Sequence, residues 1–269
     1  MSEIQRVPIL VYHHVYREGA PELKFVGDGA GIIGEAEFRR HLNYISENGW
    51  SVVSTSQVAD WLVGEGSLPE RSTVLHFDNG WLDTIEVAFP VLGELGMTGI
   101  CFPITDGIEA ASRGGTAAVR TLTEGVVSKP FMTWVQLQQL LDAGWEVGGH
   151  TATHCKVADK HQADGDAGVV EEVQLSNELF ERHLGHTPVH FAYPSGSRND
   201  ATDLVLAKFY RTLRLWHVEH PIEWSFTDRG TSPLAIDCQN IDVKVPFRAF
   251  RRIFEEAETV DSASSGNGF

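Results

Sequence analysis

At 269 residues, with 42% hydrophobic and 22% charged side chains, the chain has the length of one large domain or two small ones and an ordinary globular composition, enough to bury a sizeable core. A formal net charge of -16 argues against nucleic acid or an anionic membrane as partner, because both need clustered Lys and Arg. No apolar run approaches the ~20 residues that span a bilayer. The opening Met1-Ser-Glu-Ile-Gln-Arg-Val-Pro lacks the basic-then-apolar pattern of a secretory signal. Three cysteines, Cys101, Cys155 and Cys238, leave at least one thiol unpaired and have no metal-type spacing, so a reduced, cytoplasmic protein is the expectation.

In chain order, residues 7–15 read as a first strand carrying Tyr12-His13-His14, followed by a Gly-rich, aperiodic loop over 16–34. Phe38, Leu42 and Ile45 recur at helical spacing over 35–48, and Gly49 closes that helix. A short strand over 51–54 precedes a helix over 55–63 with Ser56 or Thr55 as its cap. Residues 73–77 form a short run rich in β-branched and aromatic side chains, a buried strand that delivers Asp78 and Asn79 at its C-terminal end. The pattern predicts a helix over 81–95 that Pro90 kinks or divides, then a strand over 98–104. Residues 107–130, rich in Gly, Ala, Ser and Thr, read as a long loop with the role of a lid or a specificity wall.

Thr133 reads as the cap of a helix reaching Ala143, with Trp134, Leu137, Leu140 and Leu141 on one face. The next strand, 145–148, delivers His150, and 154–168 reads as a polar loop. The longest clear helix spans 169–184. A strand over 189–193 delivers Pro194-Ser-Gly196, and a helix (200–209), two strands (212–216 and 235–243) and a helix (247–258) complete the pattern. Strand and helix alternate without repeat or linker, which predicts an α/β, single-domain, irregular (β/α) barrel over 5–259 with a flexible tail over 260–269.

Two polar clusters stand at strand ends. Asp78-Asn79-Gly80 by itself is an ordinary turn, and histidines four apart, such as His150 and His154, often face solvent. Carried together on strand termini, they become a candidate metal and acid–base site. His76-Phe-Asp-Asn-Gly80, Gly149-His-Thr-Ala-Thr-His154 and Phe191-Ala-Tyr-Pro-Ser-Gly196, in that order, resemble the polysaccharide deacetylase (NodB-homology) family, also called carbohydrate esterase family 4. The resemblance runs from about Pro8 to about Arg214 and implies the same irregular barrel.

What the resemblance implies is a metal-dependent hydrolase of a carbon–nitrogen bond, with N-deacetylation of an amino sugar as the leading activity. Asp78 matches the family's general base, and Asn79, His150 and His154 match its metal ligands. Zinc is the first expectation for the divalent ion, with Co, Ni, Fe and Mn as alternatives. The third motif places Tyr193, Pro194 and Ser195 at the substrate, the Ser195 N–H as oxyanion donor. His13 is expected near the site mouth and Trp216 against a sugar ring. Without the family's late Leu-Leu-His, the candidates for the general acid are His217 and His220, with His13 a further one.

Two departures stand out. Asn79 replaces an aspartate, removing one negative charge from the metal site, and Ala192 stands where an arginine would orient the base, so that contact is expected to be missing. A hydrolase of small cyclic amides or imides and a non-catalytic carbohydrate-binding protein are the alternative readings. The expected partner is a small-molecule or glycan substrate, and a homo-oligomer stays open.

Overall fold

The computed structural model describes residues 5–24, 31–122, 124–216 and 226–258. The strand Ser72–Asn79 is buried at all eight positions and lies at the centre of a parallel sheet. Burial on both faces is what turns such a strand into a nearly continuous apolar run. On one side it pairs Ile9–Tyr12 (Tyr12 beside Phe77), and on the other Ile100–Pro103 (Asp78 beside Phe102). Glu146–Val147 extends the sheet past Ile100–Pro103, and Gln239–Asn240 extends it past Ile9–Tyr12. The strands His190–Ala192 and Thr212–Arg214 form a separate parallel pair. Single bridges, Gly149 with Phe191 and Arg214 with Ile236, join that pair to both edges of the sheet and close the ring. The result is an irregular parallel barrel in which two of the joins are one bridge wide.

The helices pack outside. Glu35–Glu47 buries Phe38, His41, Leu42 and Ile45, and Phe247–Glu258 buries Phe250, Ile253, Phe254 and Ala257 against it. Thr133 caps Trp134–Asp142 through a capping box with Gln136, as its position before the apolar stripe predicts. Pro90 sits in the first turn of Phe89–Glu94, after a π-type turn over Thr84–Ala88, so the predicted helix over 81–95 is divided there.

Four expectations need correction. The first strand is three short pieces, Arg6–Val7, Ile9–Tyr12 and His14–Tyr16, because Pro8 and His13 interrupt the ladder. The cap of the helix Thr55–Leu62 is Ser54, which accepts from the Gln57 N–H and exchanges a capping box with it, in place of Thr55 or Ser56. Residues 154–168 are mostly helical: one helix runs Val157–Leu184, kinked at Gly165 where φ is +65°. Its polar first half carries too little apolar periodicity to read as helix. Residues 107–130 contain the end of a helix, Thr105–Ser112, and a hairpin, Val119–Thr121 with Gly125–Val127. The predicted tail, 260–269, lies outside the described residues.

His41 is fully buried where the first and last helices meet, with Nδ1 3.3 Å from the Tyr12 hydroxyl and its ring stacked 3.8 Å from that of Phe250. Glu37, at 3.6 Å from Nε2, is beyond hydrogen-bonding distance. Burial, with a smaller contribution from Arg40, pushes the imidazole down to about 3. A depressed folded value means the unfolded chain takes up the proton first. Stability is therefore complete above about pH 6.5 and lost as pH falls toward 3, with a slope of ~1.4 kcal/mol per pH unit from this one group. In His41→Gln, the fall in unfolding free energy between pH 6 and 4, measured by urea titration, should be shallower by about that slope. An unchanged slope would show that His41 is not held neutral.

Candidate active site

The parallel register brings the C-terminal ends of the barrel strands to one mouth. Asp78 ends the central strand with its side chain buried, and Arg214 Nη2 donates to both of its carboxylate oxygens, at 2.7 and 2.6 Å. This corrects the expectation of a missing arginine. Ala192 and Arg214 are direct partners in the parallel register, so the guanidinium enters from the neighbouring strand. Burial by itself would raise the Asp78 carboxyl, but Arg214, then His150 and His13, outweigh it and hold it at about 2. The carboxylate is ionised at neutral pH. A sequence signal for Arg214 existed: an arginine inside the apolar stretch Thr212-Leu-Arg-Leu-Trp216 has to find a buried anion.

His150 and His154 are buried, with ring centroids 5.0 Å apart. His150 Nδ1 lies 2.7 Å from the Ala192 carbonyl and His154 Nδ1 2.8 Å from the Arg120 carbonyl. A carbonyl only accepts, so each Nδ1 carries the proton and each Nε2 is left with its lone pair. Burial lowers both imidazoles, His150 to about 3, so both are neutral near pH 7. Asn79, in the left-handed region at φ +74°, lines the same cavity with a buried Oδ1 that has no hydrogen-bond partner.

Two neutral imidazoles fixed in the ligating tautomer and an orphaned amide oxygen suit a borderline divalent cation. Among the described residues no cluster of three His, Cys, Asp or Glu side chains is arranged to hold a metal. That is consistent with the set above, whose third donor is an amide.

The cavity, about 30 Å³, is lined also by His13, Trp216, Tyr193 and Ser195. His13 Nε2 is 3.8 Å from Asp78, its ring lies edge-on to Trp216, and its Nδ1 is buried without a partner. Tyr193 turns its hydroxyl away, donating to Asp203 at 2.6 Å. Ser195 has φ +54°, and the two hydrogen bonds of its turn come from the Gly196 and Ser197 amides, which leaves the Ser195 N–H outside them. Pro194, expected at the substrate, is buried in that turn and does not line the cavity. His217 and His220 lie outside the described residues. The hairpin over 119–127 supplies Thr121, Leu122 and Glu124 to the wall, besides the Arg120 carbonyl that orients His154. The wall expected from 107–130 is thus in this place, but no individual residue of it was legible; a backbone carbonyl has no residue-type signal.

Arg214→Met should leave the Asp78 carboxylate buried and unpaired. The expected cost is about 3–5 kcal/mol in urea unfolding, with the Asp78 pKa moved upward. Asp78→Asn in that background should recover part of the loss. A single variant as stable as the native chain would contradict the pairing.

Residues 65–212 match the family model for polysaccharide deacetylase. YxkH of Bacillus subtilis (strain 168), named for polysaccharide deacetylase, is 21% identical over 198 residues, covering 73% of this chain and 59% of YxkH. The chain thus spans about 59% of the length of that relative. Among solved structures, the Streptococcus pyogenes deacetylase PplD, in complex with acetate, superposes with a TM-score of 0.74 at 19% identity, over 94% of this chain and 99% of that one. A de-N-acetylase from Aggregatibacter actinomycetemcomitans gives 0.75 at 19% identity, over 92% and 99%. IcaB from Ammonifex degensii gives 0.70 at 21%, over 95% and 98%. At these identities the structural likeness is one of fold. With the family model matched over more than half of the sequence, through the segment that carries Asp78, His150 and His154, the chain belongs to the polysaccharide deacetylase family.

Proposed function

We propose that this protein is a metal-dependent amide hydrolase that removes the acetyl group from an N-acetylated amino sugar. The observation that carries the reading is one small cavity that joins an ionised carboxylate, two neutral imidazoles with free Nε2 atoms and an unpartnered amide oxygen. A divalent ion held by Asn79, His150 and His154, zinc by preference, would supply the Lewis acidity that activates water and polarises the amide carbonyl.

The remaining work falls to side chains and backbone. Asp78 is charged at neutral pH and accepts the proton of the attacking water, while Arg214 holds both of its oxygens and prevents rotation. The Ser195 N–H is the donor for the oxygen on which charge develops. The leaving amine needs a proton, and His13, beside Asp78 and tied to no carbonyl, is the imidazole in the cavity placed to relay it. Trp216 offers a face to the sugar ring.

Acetate release from N-acetylglucosamine and its oligomers, assayed with Zn or Co added and then with a chelator, tests the proposal. Release should require metal, and Asp78→Asn should lower it by roughly 10²–10⁴-fold. Sugar binding with no acetate release under any metal would refute the assignment, and turnover of a cyclic imide alone would replace it. Asn79→Asp adds a negative charge in a poorly solvated site, so metal affinity by calorimetry should tighten by roughly one to two orders of magnitude. No tightening would show that Asn79 does not touch the ion.

A further inference from the structure

The segment between the two histidines is held in an unfavourable shape. Thr151 and His154 both have φ +62°, a left-handed conformation that β-branched residues in particular avoid. A contact from outside the segment holds it there. That contact is Glu172. It lies on the same side of its helix as Val169, Val173, Ser176 and Phe180, all buried, a helical face that otherwise belongs to core residues. The residue is 8% exposed. Oε2 accepts from the Ala152 N–H at 3.2 Å and from the Thr153 N–H at 3.1 Å, and Oε1 accepts from the Thr153 hydroxyl at 3.0 Å. From the other side, the Ala152 carbonyl accepts from the Asp106 N–H at 3.0 Å. Among the described residues Glu172 has no Lys or Arg within ion-pair distance; Lys160 acts on it from further off and the Cys155 thiol is a further neighbour, so the direct bonds to the segment are those to Ala152 and Thr153.

We propose that Glu172 is a positioning residue for the metal site: it clamps the backbone between His150 and His154 in the left-handed conformation that presents both Nε2 atoms to the cavity lined by Asn79. The role needs an acceptor oxygen at this reach. Glutamine at 172 keeps its one carbonyl oxygen for both amides and can turn its NH₂ to the Thr153 hydroxyl, which also accepts, whereas methionine fills similar space and offers the amides no oxygen. Aspartate is a methylene too short to span from the helix to two consecutive amides.

The proposal rests on the metal-dependent reading above, so its test has one arm that needs no metal. In the metal-free protein, amide hydrogen exchange at Ala152 and Thr153 should speed up by about 10–100-fold in Glu172→Met relative to the native chain, with Glu172→Gln closer to native, while exchange elsewhere in the barrel stays near native. In the second arm, Co(II) affinity by calorimetry should weaken by roughly 10–100-fold, the scale expected when a group supporting metal ligands is lost. Glu171→Gln, an exposed neighbour on the same helix, should leave both readouts at native values. If Glu172→Met does not fold, Thr153→Ala removes the hydroxyl bond alone and should move both readouts in the same direction by a smaller factor. A folded variant with unchanged exchange and unchanged Co(II) affinity overturns the proposal. Absence of Co(II), Zn or Ni binding by the native protein would overturn the functional reading, and the exchange arm would then decide the role of Glu172 alone.

Discussion

The contact on which the rest of the molecule depends is the buried pair between Asp78 and Arg214. The two residues belong to strands that are not neighbours in the ring: one is flanked by Ile9–Tyr12 and Ile100–Pro103, the other by His190–Ala192 and the segment around Ile236. The pair therefore crosses the barrel interior. It also ends on the weakly bonded side, where Arg214 itself makes the single bridge to Ile236. Desolvating two charges is costly, and a buried pair is a poor source of net stability. Its value here lies in placement, because the same bonds that close the interior hold a charged carboxylate at the mouth in one orientation.

Beneath that pair the interior stays polar. His76 precedes Asp78 by two positions on the same face and meets the Thr55 hydroxyl at 3.1 Å. His190 lies between the hydroxyls of Thr212 and Ser56, and Glu146 accepts from the Thr55 and Ser56 amides. Burial keeps the imidazoles of His76 and His190 neutral, so this ladder carries hydrogen bonds with little charge. The partners come from different parts of the chain, which ties the closed end of the barrel to the strands that deliver the site.

The upper end is assembled from less regular parts. The hairpin at 119–127 lends a backbone carbonyl to His154, and Lys129 pairs with Glu124 at its turn and meets His14, which is stacked between Tyr16 and Trp81. The charge balance of the site follows from these pieces. Asp78 is neutralised by Arg214 and the three proposed metal donors are uncharged, so any cation held there would face a field weaker than a carboxylate ligand provides. In this chain the family scaffold is combined with an altered electrostatic centre, and carbohydrate deacetylation by a metal-assisted route is the function proposed for it.

Local chemistry along the chain was enough to expose the alternation of strands and helices, the Thr133 cap, the division at Pro90, the helix Phe247–Glu258 and the spacing of Asp78, His150 and His154. Each of these depends on residues a few positions apart, where side-chain type and backbone conformation are directly coupled. The helix before Gly165 and the hairpin at 119–127 were not legible, since their sequences are polar or small and take their shape from what they pack against. Arg214 shows the limit most clearly. Reading Ala192 as a lost arginine compared positions along one strand, whereas strand register decided that a guanidinium from the next strand would fill the same space. Sequence determined which groups the site could contain; only tertiary structure decided which of them meet, because the contacts that orient a carboxylate or an imidazole come from residues 20 to 140 positions away, brought close by the closure of the barrel.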